Sequence, residues 1–168
     1  MKLSEILGKR ILSTTGKEGY VVSVGAEGRS LFFTCADISE REFTVDAKNV
    51  LRLGDSILYD GTESAKKPAV TLRLGRAGFD MQGNYLGKLA DFTVLGKKLR
   101  SAKIGKKNYP AEGLILGDII IVKDVRRLTS DVVKDGAVLF KKGTPVTDEM
   151  LSEAAAAGEY VQTTLKTL

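Results

Sequence analysis

The sequence predicts an all-β protein: two tandem small β-barrel units, then a short hairpin, helix and strand at the C-terminus. Three observations carry that reading. Apolar and polar residues alternate over short runs, with turn signals at intervals too short for helices. Glycine makes up 18 of 168 residues, which suits strands that bend sharply and turns that need positive φ. A segment also recurs at a nearly constant spacing, the mark of a repeated unit.

The repeat sets the boundaries. Leu7-Gly8-Lys9-Arg10, with a turn at Gly16, recurs as Leu74-Gly75-Arg76-Ala77 with a turn at Gly83, an offset of 67 residues. Leu51 to Asp60 matches Leu114 to Asp124 in outline, Gly54-Asp55 answering Gly117-Asp118 at an offset of 63. The first unit therefore covers residues 1–64 and the second 69–125, with the polar, proline-ended Asp60 to Pro68 as linker.

In the first unit, strands are expected at Tyr20 to Val24 and Arg29 to Ala36 around a Gly25 to Gly28 turn. Two more follow at Glu42 to Val45 and Ser56 to Tyr59. In the second they fall at Leu86 to Leu95, Leu99 to Ile104 and Asp118 to Lys123, with turns near Gly96 and Gly105. Residues 126–168 differ in kind. Asp135-Gly136 and Lys142-Gly143 are turns around a strand at Ala137 to Phe140. Thr147 is an expected N-cap, with Asp148 and Glu149 favouring the dipole of a helix through Ala157. Gly158 stops that helix, and Tyr160 to Leu165 is expected to return as a strand.

The stretch Asp80 to Phe92, DMQGNYLGKLADF, holds the series Asp80, Gly83, Leu86, Gly87, Lys88, Leu89, Asp91. That series resembles the signature of the PRC-barrel family, a small all-β module. Tyr109-Pro110 leading to Gly117-Asp118 and an apolar last strand is similar to the way such modules close, so the likeness covers residues 70–125. The first unit departs from the pattern. It is one residue shorter after Gly16, lacks the acid matching Asp91, and has Val45-Asp46 where Tyr109-Pro110 stands. Family members occur in the cytoplasmic part of the photosynthetic reaction-centre H subunit and in a ribosome maturation factor. The resemblance thus implies non-catalytic docking to another protein, to a second copy of the chain, or to ribosomal RNA. It also implies structural turn roles for Asp80, Gly83, Gly87 and Asp91, with Leu86 and Leu89 facing the core.

Composition narrows the chemistry. There is no histidine, so triads and metal sites built on it lack their usual residue. The single Cys35 has no bridging partner, which favours a reducing, cytoplasmic compartment, and no run is long enough for a signal peptide or a membrane span. Set in Leu-Phe-Phe-Thr-Cys-Ala, Cys35 reads as core. Gly16-Lys17, Gly96-Lys97-Lys98 and Lys142-Gly143-Thr144 lack P-loop spacing and read as turns. Asp37, Glu40, Glu42 and Asp46 lack the spacing of a metal loop, and Asp91 and Asp118 read as turn braces. No catalytic residue, cofactor or metal is expected, and the chain does not read as an enzyme.

The net charge of +5 is not evenly spread. Residues 1–70 hold ten Lys/Arg and ten Asp/Glu, residues 71–125 ten and five, and residues 126–168 six and six. The excess lies in the second unit, where Lys97, Lys98, Arg100, Lys103, Lys106 and Lys107 flank the inward Leu99. This run is the candidate site for an anionic partner such as RNA, with Tyr85, Phe92 and Tyr109 as candidate stacking surfaces.

Overall fold

A computed structural model describes residues 1–123, 127–144, 146 and 148–167. The chain divides into two compact units, 1–123 and 124–168. The first is a large mixed sheet of short strands with few helical turns. After a one-turn helix α1 (Leu3–Ile6) come β1 (Arg10–Ser13), β2 (Glu18–Glu27), β3 (Ser30–Asp37), β4 (Glu42–Asp46), β5 (Val50–Leu53) and β6 (Ile57–Tyr59). A short β7 (Val70–Thr71) leads to β8 (Ala77–Asp80), β9 (Tyr85–Leu95), β10 (Lys98–Ile104), β11 (Lys107–Pro110), β12 (Leu114–Leu116) and β13 (Ile120–Val122).

Two sets of six strands follow one plan. The first runs in the order β4-β3-β2-β1-β6-β5 and the second β11-β10-β9-β8-β13-β12, with a single bridge between Ser30 of β3 and Lys98 of β10 joining them. In each set one pairing is parallel: Ile11 lies opposite Ile57, and Gly78 opposite Ile120. Those partners differ by 67 and 63 residues, the two offsets of the sequence repeat.

The turns repeat as well. Asp80 accepts the Gly83 N–H on its carbonyl and the Asn84 N–H on its carboxylate. Ser13, 67 residues earlier, accepts the Gly16 N–H on its carbonyl and the Lys17 N–H on its Oγ.

Bulges shift the spacing by single residues, and the fall from 67 to 63 comes from the tip between β10 and β11, which is shorter than that between β3 and β4. Between β8 and β9, Gly78 pairs with Gly87 and Phe79 with Tyr85, leaving Leu86 as an extra residue. In β1 and β2, Ile11 pairs with Gly19 and Leu12 with Glu18 without interruption, so the first set is one residue shorter there. Leu51 is extra between β5 and β6, whereas β12 and β13 pair without one. An inserted residue is absorbed locally and the ladder resumes, so every later side chain keeps its face.

Gly25, expected in a turn, lies inside β2, and the turn is confined to Gly28 and Arg29. Any Cβ at position 25 would run into the ring of Pro68, so this glycine marks a close approach rather than a reversal. The linker is likewise fastened down. Ser64 N–H donates to Thr44, Leu72 N–H donates to Val24, and β7 pairs with Gly25 and Ala26. One cluster of buried side chains draws on both sets, including Leu3, Ile6, Ile11, Phe33, Tyr59, Leu89, Phe92, Leu99 and Ile120.

Residues 124–168 carry their own small core of Leu128, Val132 and Met150, with Phe140 and Val146 against it. A hairpin, β14 (Val132–Lys134) and β15 (Ala137–Phe140), precedes α2 (Asp148–Ala156). The cap expected at Thr147, and the side chains of Asp148 and Glu149, lie outside the described residues. Gly158, with φ +79°, ends α2. Its N–H donates to Ala155 and that of Glu159 to Ala154, the two bonds of a Schellman stop.

The strand expected at Tyr160 to Leu165 is instead a helix, α3 (Tyr160–Leu165). Its threonines favour a strand by branching alone. Here the hydroxyls of Thr163 and Thr164 donate to the carbonyls of Glu159 and Tyr160 at 2.8 Å, four residues back, and so fit a helix.

Gly87 tests the backbone argument. Its φ is +130°, and a Cβ there would sit 2.9 Å from Cα of Gly105. Gly87→Ala is expected to lower stability by about 1–3 kcal/mol in urea denaturation followed by circular dichroism. Gly117→Ala, where a Cβ would meet nothing nearer than 3.6 Å, should stay within about 0.5 kcal/mol of the parent.

Candidate functional site

The basic run lies on β10 and the turns at its two ends. Leu99, Ala102 and Ile104 are buried while Arg100 and Lys103 face water. Leu99 pairs with Val94 and Ser101 with Thr93, so Arg100 is a bulge residue, pushed out of the ladder. Lys97 shares a two-residue turn with Gly96, and Lys106 shares the next one with Gly105. The run is therefore not one point of charge. Lys97 and Lys98 lie at one end of a strand spanning roughly 20 Å, Lys103, Lys106 and Lys107 at the other, and Arg100 between them.

All six side chains are exposed, and among the described residues none makes an ion pair within 4.0 Å. The nearest cross-strand acid is engaged elsewhere. Asp91 lies opposite Lys103 in register, but its carboxylate accepts the N–H and the hydroxyl of Ser4 and the N–H of Phe92. Of the expected stacking surfaces, Phe92 is buried in the core and Tyr109 packs half-buried against it. Tyr85 alone is open, 58% exposed and tilted against Phe79 at 5.6 Å between ring centres.

The turn residues fall into two groups. Asp80 holds the β8–β9 turn through the N–H groups of Gln82 and Asn84 and the Asn84 side chain. The Asn84 side-chain bond, helped by these N–H groups, holds its carboxyl below the ordinary carboxylate value. Gly83 supplies φ +84° in the same turn. Gly87 instead lies within β9, at a close approach to Gly105. Asp91 is not in a turn either: it reaches from the strand to the first turn of α1. Asp118, expected as a brace, is exposed, and its side chain makes no hydrogen bond among the described residues.

The other candidates are occupied structurally. Lys17 lies 3.9 Å over the Phe43 ring and pairs with Glu63. Gly143 lies in a turn closed by the Thr144 N–H on the Lys141 carbonyl, and its own N–H donates to the Leu128 carbonyl. Asp37 accepts the N–H groups of Ser39 and Arg41, and Asp46 that of Lys48. Among the described residues, no group of three or more His, Cys, Asp or Glu is placed to hold a metal ion. Nor is any described helix long and apolar enough to cross a membrane.

One surface was missed in the sequence. Ile38 is 88% exposed at the tip between β3 and β4, and Tyr20 and Val22 project from the neighbouring β2, each 45% exposed. Ile38 and Tyr20 line a groove of about 250 Å³ with Gly8, Arg10, Glu18 and Gly19. The tip is fixed rather than loose. Asp37 accepts the Arg41 and Ser39 N–H groups, Glu40 takes φ +61°, and the Arg41 bond leads in holding the Asp37 carboxyl below its ordinary value. An isoleucine set inside Asp-Ile-Ser-Glu-Arg was the available signal.

The chain matches no protein-family model and no curated protein.

Burial pushes the Cys35 thiol up from its ordinary 9.0 to about 12, and the Lys17 charge only partly offsets this. The fold holds the neutral form, so this contribution to stability is complete below pH 9.0 and is lost as pH rises towards about 12. In mildly alkaline buffer, Cys35 of the folded chain should react with a dithionitrobenzoate reagent at least about a hundredfold more slowly than in denaturant. Equal rates would contradict its burial.

Proposed function

We propose that the chain is a non-catalytic docking module made of two tandem PRC-barrel-type units, and that its partner is another protein. One observation carries this reading: Ile38 is held out in solvent by a hydrogen-bonded turn, sharing a groove with Tyr20. An apolar anchor already fixed in place loses little conformational freedom on binding, which is how interface anchors reach useful affinity. The repeated Asp80 and Ser13 turns, and the parallel pairing that brings first and last strands together in each set, support the barrel-type reading.

A second reading has its own observation. The six exposed cations along β10, none of them in an ion pair among the described residues, suit a phosphate backbone. The chain would then be an RNA- or ribosome-associated factor acting in rRNA maturation, bound through residues 97–107.

Affinity capture from nuclease-treated lysate separates the two. The docking reading expects one defined protein to be recovered by the parent chain and by the Lys98→Glu, Arg100→Glu, Lys103→Glu variant, and lost with Ile38→Asp. Recovery of no protein, together with salt-sensitive RNA binding that the triple variant abolishes, would replace it with the second reading.

A further inference from the structure

The groove beside Ile38 has a counterpart in the second strand set, and the two places differ in chemistry. In the first set Arg10 lies opposite Tyr20, Ile11 opposite Gly19 and Leu12 opposite Glu18. The matching pairs in the second are Ala77 with Lys88, Gly78 with Gly87 and Phe79 with Tyr85. Arg10 and Glu18 form an ion pair at 3.1 Å, so the first place balances its own charge. In the second, Ala77 and Tyr85 hold those positions: a ring replaces the acid. Lys88, exposed where the first set has Tyr20, makes no ion pair among the described residues.

The backbone gathers more cations at this place. The pairs that hold Lys88 and Tyr85 flank the Gly78 and Gly87 pair, so by alternation both side chains lie on one face. The Gly105 N–H donates to the Lys88 carbonyl at 3.0 Å, drawing the β10–β11 turn against β9. Lys106 and Lys107 therefore start beside Lys88, and Lys103 faces outward two residues before Gly105. Of the two nearby acids, Asp80 is turned into its own turn by Gln82 and Asn84, and Asp91 is taken up by Ser4 and Phe92. Tyr85, leaning on Phe79, is the open ring among these four lysines.

We infer that this end of β10 binds an unpaired RNA strand, one base stacking on Tyr85 and the adjoining phosphates lying along Lys88, Lys103, Lys106 and Lys107. The inference rests on the second reading above, that the β10 cations take RNA, and names the form of RNA they take. The open ring selects it. A base within a duplex is stacked on its neighbours and offers Tyr85 no face, whereas an unpaired base does. A ring already braced against Phe79 also loses little freedom on binding.

Fluorescence anisotropy on the full chain at low salt, with a labelled oligo(U) of about ten residues and an RNA duplex of the same length, tests this. Oligo(U) is expected to bind at least about threefold more tightly, although the duplex has the higher charge density. Tyr85→Ala should weaken oligo(U) binding at least about fivefold, while Tyr85→Phe stays within about twofold of the parent. Lys88→Glu with Lys106→Glu should weaken it at least about tenfold and flatten its salt dependence. Should Tyr85→Ala disturb the circular dichroism spectrum, the parent's preference for oligo(U), which needs no variant, decides. If the duplex binds as tightly, or a folded Tyr85→Ala binds oligo(U) like the parent, the inference falls while the second reading stands. If neither RNA binds at low salt, both fall.

Discussion

The carboxylate of Asp91, reaching from the second set of strands to the first turn of α1, is the contact on which the arrangement of residues 1–123 depends. β9 is eleven residues long, and β8 pairs with only its first part. Along the rest of that edge the chain start takes the place of a strand. The Met1 ammonium donates to the Val94 carbonyl, Val94 N–H returns the bond to Met1, and Lys2 bridges Thr93. Asp91 then accepts the Ser4 N–H, satisfying one of the free donors of a helix terminus with a charge suited to its dipole. With that end seated, Leu3 and Ile6 are fully buried in the cluster that both strand sets share. Two copies of one plan are in this way built into one core.

Divergence between the copies explains where the candidate surfaces lie. The first set spans β3 and β4 with the longer Asp37-braced tip that presents Ile38, while the second closes β10 onto β11 with only Gly105 and Lys106. Arg100 is extra in β10, since Leu99 and Ser101 take the places that the adjoining Leu31 and Phe32 hold in β3. A bulge turns its residue outward without moving the core beneath. The same fold therefore carries an apolar tip on one copy and a cationic strand on the other, over one shared core.

Much of this was legible in the chain. The offsets of 67 and 63 hold in the pairing of Ile11 with Ile57 and of Gly78 with Ile120, because a repeat conserves register as well as turns. The residue missing after Gly16 corresponds to the bulged Leu86. What escaped were strands of three or four residues, such as β1, β5, β8, β11 and β12, too short to display an alternation, together with the Met1 and Lys2 bridge, whose partner lies some ninety residues away. Gly25 misled because a glycine required by a neighbouring ring looks the same in sequence as one required by a turn. Tyr160 to Leu165 misled because threonine branching and threonine hydroxyl bonding point to opposite structures. The basic run was visible as composition, but its division between the two ends of β10 was not, since that follows from where the hairpins turn.

Hydrogen exchange followed by mass spectrometry on Asp91→Ala tests most directly whether the two strand sets stand as one. If the Asp91 contact to α1 supports the shared core, protection should fall together in β1 to β6 and in β8 to β13, by about 1–2 kcal/mol in each. A loss limited to the first residues and the end of β9, with the other strands as protected as in the parent, would contradict it.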